Sequence, residues 1–245
     1  VAAVVAETEE AANEALAKIK VEYDVLKPVF TWDEAQAPDA PILHKGHVTY
    51  GVGAPADLDE YNKNADPRDG EIHYPFPIHA DPHHNLAASV KGGIGDVEKG
   101  FKEADVIIDR TFSTTQIQCT PTEPHVVFTK MQGDRLVIHA STQVPFHLRR
   151  IVAKILGIPE TKIHVIKERV GGGFGSKQDV ILEDVAAVAT YRTGRPVYYR
   201  YTRAQEFNTC SSRKPMRVRV RIGAKKDGTF TAIQMDNEAN TGPFG

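Results

Sequence analysis

The run Val170-Gly171-Gly172-Gly173-Phe174-Gly175-Ser176-Lys177-Gln178-Asp179 holds four glycines within five residues. It follows a β-branched apolar run, Ile163-His164-Val165-Ile166, and precedes a helical pattern over residues 180–193. Glycine has no Cβ and accepts φ > 0, so a ligand can lie directly against such a backbone. N–H groups freed at a helix entry also favour anions. The pattern therefore predicts a ligand cradle made of main chain, with Phe174 as its lone aromatic. The competing reading is a tight turn that only lets a helix pack on a strand. The familiar phosphate motifs do not fit. Lys177 follows a compressed glycine run, which breaks the G-x-x-x-x-G-K-[ST] spacing, and Gly171, Gly173 and Ser176 give only a degenerate G-x-G-x-x-G.

Other side chains add chemistry. Gln143, in Ser141-Thr142-Gln143, can donate a hydrogen bond without bringing charge, or it can cap the helix opened by Pro145. Gln178 can donate and accept but cannot pull a proton; otherwise it is a helix-start residue facing water. Glu123, in Glu123-Pro124-His125, has the chemistry of a general base. Lys177 reads as a solvated lysine at a helix start. His73, His79, His83 and His84 fit no structural zinc pattern, because Pro82 interrupts any helix that would align His79 with His83 and no cysteine joins them. Arg217, Arg219 and Arg221 alternate on a strand and are expected to face water or a partner subunit. No aromatic stacking platform accompanies them, which argues against nucleic acid.

The elements that must position these residues follow from periodicity and caps. Residues 1–6 read as a buried strand. Thr8 caps a helix over residues 9–18 with an apolar face of Ala11, Ala12, Leu16 and Ile19. Residues 20–25 alternate as a strand, and Thr31-Trp32-Asp33-Glu34 is a capping-box pattern, with Trp32 packed in a core or staple. Residues 36–84 are rich in Pro, Gly, Asp and Asn and read as a long connection. Strands are expected at 86–90, 105–114, 126–130, 136–140 and 197–201, and a hairpin at 218–235 turning on Lys226-Asp227-Gly228-Thr229. Helices are expected after Asp96 and over residues 145–156, closed by Gly157.

Composition narrows the class. The chain has 245 residues, 41% of them apolar and 25% charged, with a net charge of −2, as for a soluble globular protein with no nucleic-acid or membrane-surface partner. No apolar run is long enough for a transmembrane helix. Two cysteines, Cys119 and Cys210, make neither a disulfide framework nor an iron–sulfur site, which suits a reducing cytoplasm. Both ends read as cut, so the chain is expected to be a piece of a longer subunit.

The glycine run closely resembles the molybdenum-subunit signature of the xanthine dehydrogenase family of molybdopterin hydroxylases. Glu123-Pro124-His125, Ser141-Thr142-Gln143, Gly95-Asp96-Val97-Glu98-Lys99-Gly100-Phe101, Gly194-Arg195-Pro196-Val197 and Asn240-Thr241-Gly242 fall in that family's order. The resemblance covers nearly the whole chain and is weakest over 46–84. It implies an α+β fold. Residues 1–45 would be the C-terminal part of a small, hammerhead-like α/β domain and 46–84 a connecting loop. Residues 85–245 would be the N-terminal part of the first molybdopterin-binding domain, with mixed sheets.

The resemblance also implies a molybdenum–pyranopterin cofactor, the cytosine dinucleotide form among the candidates, with no protein side chain as a main metal ligand. Gln143 would stand beside the metal as a catalytic residue, and Phe174 near it. Gly172, Gly173, Phe174 and Gly175 would form the cofactor cradle, and Lys177 a partner for a pterin phosphate. Gln178 would meet substrate where animal purine-oxidising members carry glutamate. Glu123 would support the cofactor region, the catalytic carboxylate lying beyond Gly245. The implied reaction is hydroxylation of a purine, xanthine or hypoxanthine, at an activated C–H carbon. Electrons would pass to Fe–S and FAD on other domains or subunits, and the fragment alone would be inactive. The alternatives are another heterocycle such as nicotinate, an aldehyde, or a non-catalytic scaffold without metal.

Overall fold

The computed structural model describes residues 2–43 and 78–242. The elements begin with α1 (Glu9–Lys18), α2 (Trp32–Gln36), β1 (Ile78–Asp81), β2 (Leu86–Val90), α3 (Val97–Glu103) and β3 (Val106–Ser113). There follow β4 (Ile117–Gln118), β5 (Val126–Gln132), β6 (Arg135–Ala140), α4 (Pro145–Leu156), β7 (Ile163–Ile166) and α5 (Glu183–Thr193). The series closes with β8 (Val197–Arg200), α6 (Arg203–Thr209), β9 (Ser212–Arg213), β10 (Met216–Ala224) and β11 (Phe230–Ala239). Two compact units result: Val1–Tyr23 with Gln116–Arg213, and Asp24–Thr115 with Lys214–Gly245.

In the first unit a four-stranded sheet runs in the order β7-β6-β5-β8. β5 pairs antiparallel with both β6 and β8, whereas β6 pairs parallel with β7. The parallel pair needs a crossover, and α4 supplies it. Leu136, Val137 and Ile138 of β6 are all buried, the pattern of a central strand covered on both faces. Leu148 and Val152 of α4 and Ala186 and Ala187 of α5 close the core over Val127, Ile138 and Ile163. Thr129 is the polar exception. Its hydroxyl donates to the Ala186 carbonyl at 3.1 Å and meets Thr190 Oγ1 at 2.6 Å, so burial leaves it satisfied.

The second unit contains the antiparallel sheet β11-β10-β3 and the β1–β2 hairpin. α3 packs on the sheet through Gly100 and Phe101; a Cβ at Gly100 would stand 3.0 Å from Ala232 Cβ, so only glycine allows this approach. Asn85, at φ 52°, donates to the Ala35 and Pro41 carbonyls and accepts from the Leu43 N–H, tying the α2 segment to the hairpin.

Several expectations change. Residues 2–6 form no strand and are mostly exposed, and residues 20–25 form none either, with Val25 85% exposed. Alternation alone does not make a strand without a neighbour to take its hydrogen bonds. The α1 cap is present, with the Ala11 N–H donating to Thr8 Oγ1, but none of its apolar face is buried. The capping box at Thr31–Glu34 forms as read, and Trp32 is half-buried under the Arg217 guanidinium, 5.6 Å from its ring centroid. Arg219 faces water as read, paired with Asp109, whereas Arg217 is half-buried and pairs with Glu238 and Asp33, and Arg221 lies 3.9 Å over the Phe101 ring. The helix read over 180–193 begins only at Glu183, because the Glu183 carboxylate accepts the N–H groups of Ile181 and Leu182. Most of the expected 46–84 connection, with His73, lies outside the described residues, as does the His79 side chain.

Candidate functional site

Strand direction decides what meets here. β6 and β7 run parallel, so their carboxyl ends share one edge of the sheet. Ser141-Thr142-Gln143 leaves β6 at that edge, and the glycine run follows β7 there. β5 is antiparallel to β6, so the residues entering it, Glu123 to His125, arrive at the same edge; β8 leaves at it and leads into α6. Four segments of the first unit thus converge at the strand ends, the usual ligand position of sheets with parallel strands.

The glycine run folds as a sequence of tight bends. Gly172 and Gly175 both sit at φ 97°, and Phe174 between them at φ 55°. A non-glycine residue in this region costs about 1 kcal/mol, and such strain tends to be retained at functional positions. Phe174 is 72% exposed. Ser176 donates from both its N–H and its hydroxyl to the Gly173 carbonyl, at 3.0 and 2.8 Å, which closes the bend. The N–H groups of Gly172, Gly173 and Phe174 find no acceptor among the described residues. The space a Cβ would take at Gly175 holds no atom within 4 Å.

Gln143 is bound to this loop and does not cap α4. Its Oε1 accepts the Gly175 N–H at 3.1 Å, and its own N–H donates to the Lys177 carbonyl at 2.9 Å. Val144 stands at the helix N-cap with no side-chain cap. With Oε1 engaged, the amide NH2 of Gln143 is the end free to donate elsewhere. A Cβ on Gly173 would lie 2.8 Å from Gln143 Cδ and nearer still to Oε1, so the amide occupies the room that glycine vacates. Gln178 is exposed and precedes α5 by several residues, its N–H donating to the Gly175 carbonyl at 3.3 Å. It is therefore not a helix-start residue.

Lys177 is not the solvated lysine that its place in the sequence suggests. It is 1% exposed, and its ammonium donates to the Glu123 carbonyl and Oε2, both at 2.9 Å, and to Ser141 Oγ at 2.8 Å. Glu123 Oε2 also accepts the Gly171 N–H at 2.7 Å and the Ser141 hydroxyl. Burial pushes the Glu123 carboxyl up, but the hydrogen bonds from Ser141, Lys177 and Gly171 outweigh it and hold the group below the ordinary glutamate range. A carboxylate held so is a poor general base.

Behind the loop lies a second buried group. His125 and Glu206 are 0% and 1% exposed, with Nδ1 and Oε1 2.9 Å apart, while Nε2 meets the Ser176 carbonyl at 3.0 Å. The Cys210 thiol is 3.2 Å from Glu206 Oε2. Burial, reinforced by the Glu206 carboxylate, pushes that thiol up to about 12. His125, Glu206 and Cys210 form the one triad of metal-capable side chains among the described residues. The imidazole and carboxylate are already hydrogen-bonded and the thiol is held protonated, so the triad braces the loop and does not offer free ligands. His84 is exposed and paired with Asp81 at 2.6 Å. The buried roles of His125, Ser141, Lys177 and Glu206 escape sequence reasoning, because nothing local marks them as buried.

The fold and the site define a main-chain cradle at the carboxyl edge of a mixed sheet, with one amide side chain aimed into it. The family model described as the molybdopterin cofactor-binding domain matches residues 78–245. The probable hypoxanthine oxidase XdhD of Escherichia coli strain K12 is 59% identical over 245 residues, all of this chain and 26% of that protein. The nicotinate dehydrogenase large molybdopterin subunit of Eubacterium barkeri is 29% identical over 245 residues, all of this chain and 49% of that one. Among solved structures, the aldehyde oxidoreductase from Desulfovibrio gigas superposes with a TM-score of 0.69 at 26% identity, over 96% of this chain and 22% of that chain. The chain belongs to the molybdopterin cofactor-binding family, and it spans about a quarter of the length of XdhD. The residues present fit such a group: unpaired N–H groups, open space where a side chain would otherwise stand, and no side chain required as a metal ligand.

Proposed function

We propose that this chain is the cradle-bearing part of a molybdenum hydroxylase acting on a purine, with hypoxanthine or xanthine as the substrate class. The observation that carries the reading is the Gly172–Gly175 backbone, bent to φ 97° at both glycines and joined to Gln143. The 59% identity to a probable hypoxanthine oxidase over the whole chain supports the purine assignment. Residues 1–45 then end the small α/β domain, 46–84 connect, and 85–245 begin the cofactor-binding domain.

The bound molybdenum–pyranopterin would supply two-electron oxidation of an activated C–H carbon. Gly172, Gly173 and Phe174 would hold it by their main-chain N–H groups, and Gly175, whose own N–H is taken by Gln143, would leave room for close approach. Gln143 would be the catalytic residue: its amide NH2 could donate to the bound group without adding charge, and Gly175 fixes which way the amide points. Gln178, exposed beside the cradle, orients the heterocycle by donating and accepting at its ring edge and moves no proton. Fe–S and FAD centres, on other domains or subunits, take the electrons, and the complex is cytoplasmic. Among the described residues no helix is long and apolar enough to cross a membrane.

The test is metal and pterin analysis of the purified full-length protein, followed by a panel of purines, nicotinate and aldehydes. Molybdenum and pterin at about one per chain with turnover of hypoxanthine or xanthine supports the reading. Absence of the metal refutes it, and preference for nicotinate or an aldehyde refutes the substrate.

A further inference from the structure

Lysine is rarely buried unless paired, and removing an ammonium from water costs several kcal/mol that a pair only partly offsets. Replacing a whole buried pair by apolar residues of similar volume often costs no stability. Lys177 is nevertheless enclosed, and its three N–H donors meet three acceptors: the Glu123 carbonyl, Glu123 Oε2 and Ser141 Oγ. The acceptors come from the segment entering β5 and the segment leaving β6; the lysine itself belongs to the segment after β7. The main chain of Lys177 is tied to the same β6 segment, since its carbonyl accepts the Gln143 N–H at 2.9 Å and the Thr142 hydroxyl at 3.4 Å. Gln143 then returns to the loop through Gly175. The result is a closed ring: ammonium to Ser141, chain to Gln143, side chain to Gly175, chain back to Lys177.

We propose that Lys177 is a positioning residue for the cofactor, and that its clamp on Glu123 and Ser141 sets the spacing between the Gln143 amide and the Gly173–Gly175 backbone. It binds no phosphate, because all three of its donors are used inside the protein. Glu123 serves the same clamp and abstracts no proton. This rests on the reading of the cradle as a molybdenum–pterin site. Lys177→Arg would not substitute, since a planar fork cannot meet three acceptors arranged around one nitrogen.

The experiment uses the full-length protein with Lys177→Met, Lys177→Arg and the milder Ser141→Ala, which removes one acceptor and leaves the ion pair. Molybdenum and pterin per chain, thermal unfolding, and the electron paramagnetic resonance of partly reduced molybdenum are measured on each. Lys177→Met and Lys177→Arg are expected to lose cofactor occupancy by about tenfold or more, as for residues that orient a metal site from behind. In the loaded remainder the molybdenum signal shifts and kcat per molybdenum falls while KM stays. Ser141→Ala folds normally and shows a smaller change of the same kind. A lysine that only stabilises the fold would lower the unfolding temperature and leave the signal and kcat per molybdenum at wild-type values; that result overturns the proposal. Should the lysine variants fail to fold, an unchanged signal in Ser141→Ala overturns it equally. A wild-type protein that carries no molybdenum or pterin overturns the cradle reading itself, and this inference with it.

Discussion

Alanine at three glycines of the cradle should give three different failures, because the added methyl meets something different each time. At Gly173 it would meet the end of the Gln143 side chain, Cδ at 2.8 Å and Cγ at 3.1 Å. That side chain can swing away. It then loses the Gly175 N–H, a neutral hydrogen bond worth about 1 kcal/mol, and adopts a poorer rotamer at a similar cost. At Gly171 the methyl would stand 2.5 Å from Glu123 Cβ, an atom that moves only with its main chain. The Glu123 carboxylate is also held by Lys177, Ser141 and the Gly171 N–H, so relief there breaks the clamp; overpacking and that loss together cost about 3 kcal/mol or more. At Gly175 the methyl meets nothing within 4 Å, and only the φ of 97° is penalised, by roughly 1–3 kcal/mol.

The assay compares thermal unfolding with turnover per bound molybdenum in the full-length protein. Gly171→Ala is expected to be the least stable of the three and to lose cofactor through misfolding. Gly173→Ala is expected to fall by only about 5 °C, at roughly 2–4 °C per kcal/mol. It would keep most of its molybdenum yet lose turnover per molybdenum by tenfold or more, since the donor amide is displaced. The reasoning fails if Gly173→Ala unfolds as early as Gly171→Ala, or if it turns over at the wild-type rate per metal.

Gln143→Ala should retain molybdenum and lose turnover, whereas Gln178→Ala should retain molybdenum and raise KM or lower kcat for the purine; unchanged steady-state constants would return Gln178 to an ordinary surface residue. The Glu206 carboxyl gives a pH dependence. Burial pushes it up, but hydrogen bonds from the His125 N–H, the His125 ring and the Cys210 thiol outweigh that and hold it below the ordinary glutamate value. Its contribution is therefore complete above the unfolded value of about 4.3 and is lost as pH falls through the lower folded value. Glu206→Gln should be less stable by about 3 kcal/mol at pH 7 and show a flatter loss of stability below pH ~4.5 in acid unfolding curves. Parallel curves for variant and wild type would remove the His125–Glu206 brace.

Local chemistry was readable from sequence wherever a few neighbouring residues settle it. Thr8, Thr31 and Asp96 cap their helices as read, and Gly157 and Gly194 close theirs in the left-handed conformation. The glycine run shows as a bend because no other residue makes successive turns of that kind cheaply. Burial of charge was not readable. Lys177 and Glu206 carry no local mark that separates them from solvated residues, since what makes their burial tolerable, the acceptors at Glu123 and Ser141 and the imidazole of His125, lies tens of residues away. The strand expected at residues 20–25 does not form for the converse reason: its pattern is complete, but no strand among the described residues takes its hydrogen bonds.

The same contrast accounts for the form of the site. A metal centre built from side chains announces itself by spaced histidines and cysteines, and His125, Glu206 and Cys210 come near that pattern without being free to bind. A centre whose ligands belong to a cofactor needs the opposite: main chain laid bare, one neutral amide for orientation, and rigid supports kept out of reach. The parallel pairing of β6 with β7 brings Gln143 and the cradle to one edge, and two pairs, buried Lys177 with half-buried Glu123 and the buried His125–Glu206, grip adjacent residues of the loop from behind. Charge at Lys177, Glu123 and Glu206 is thus spent on holding the backbone.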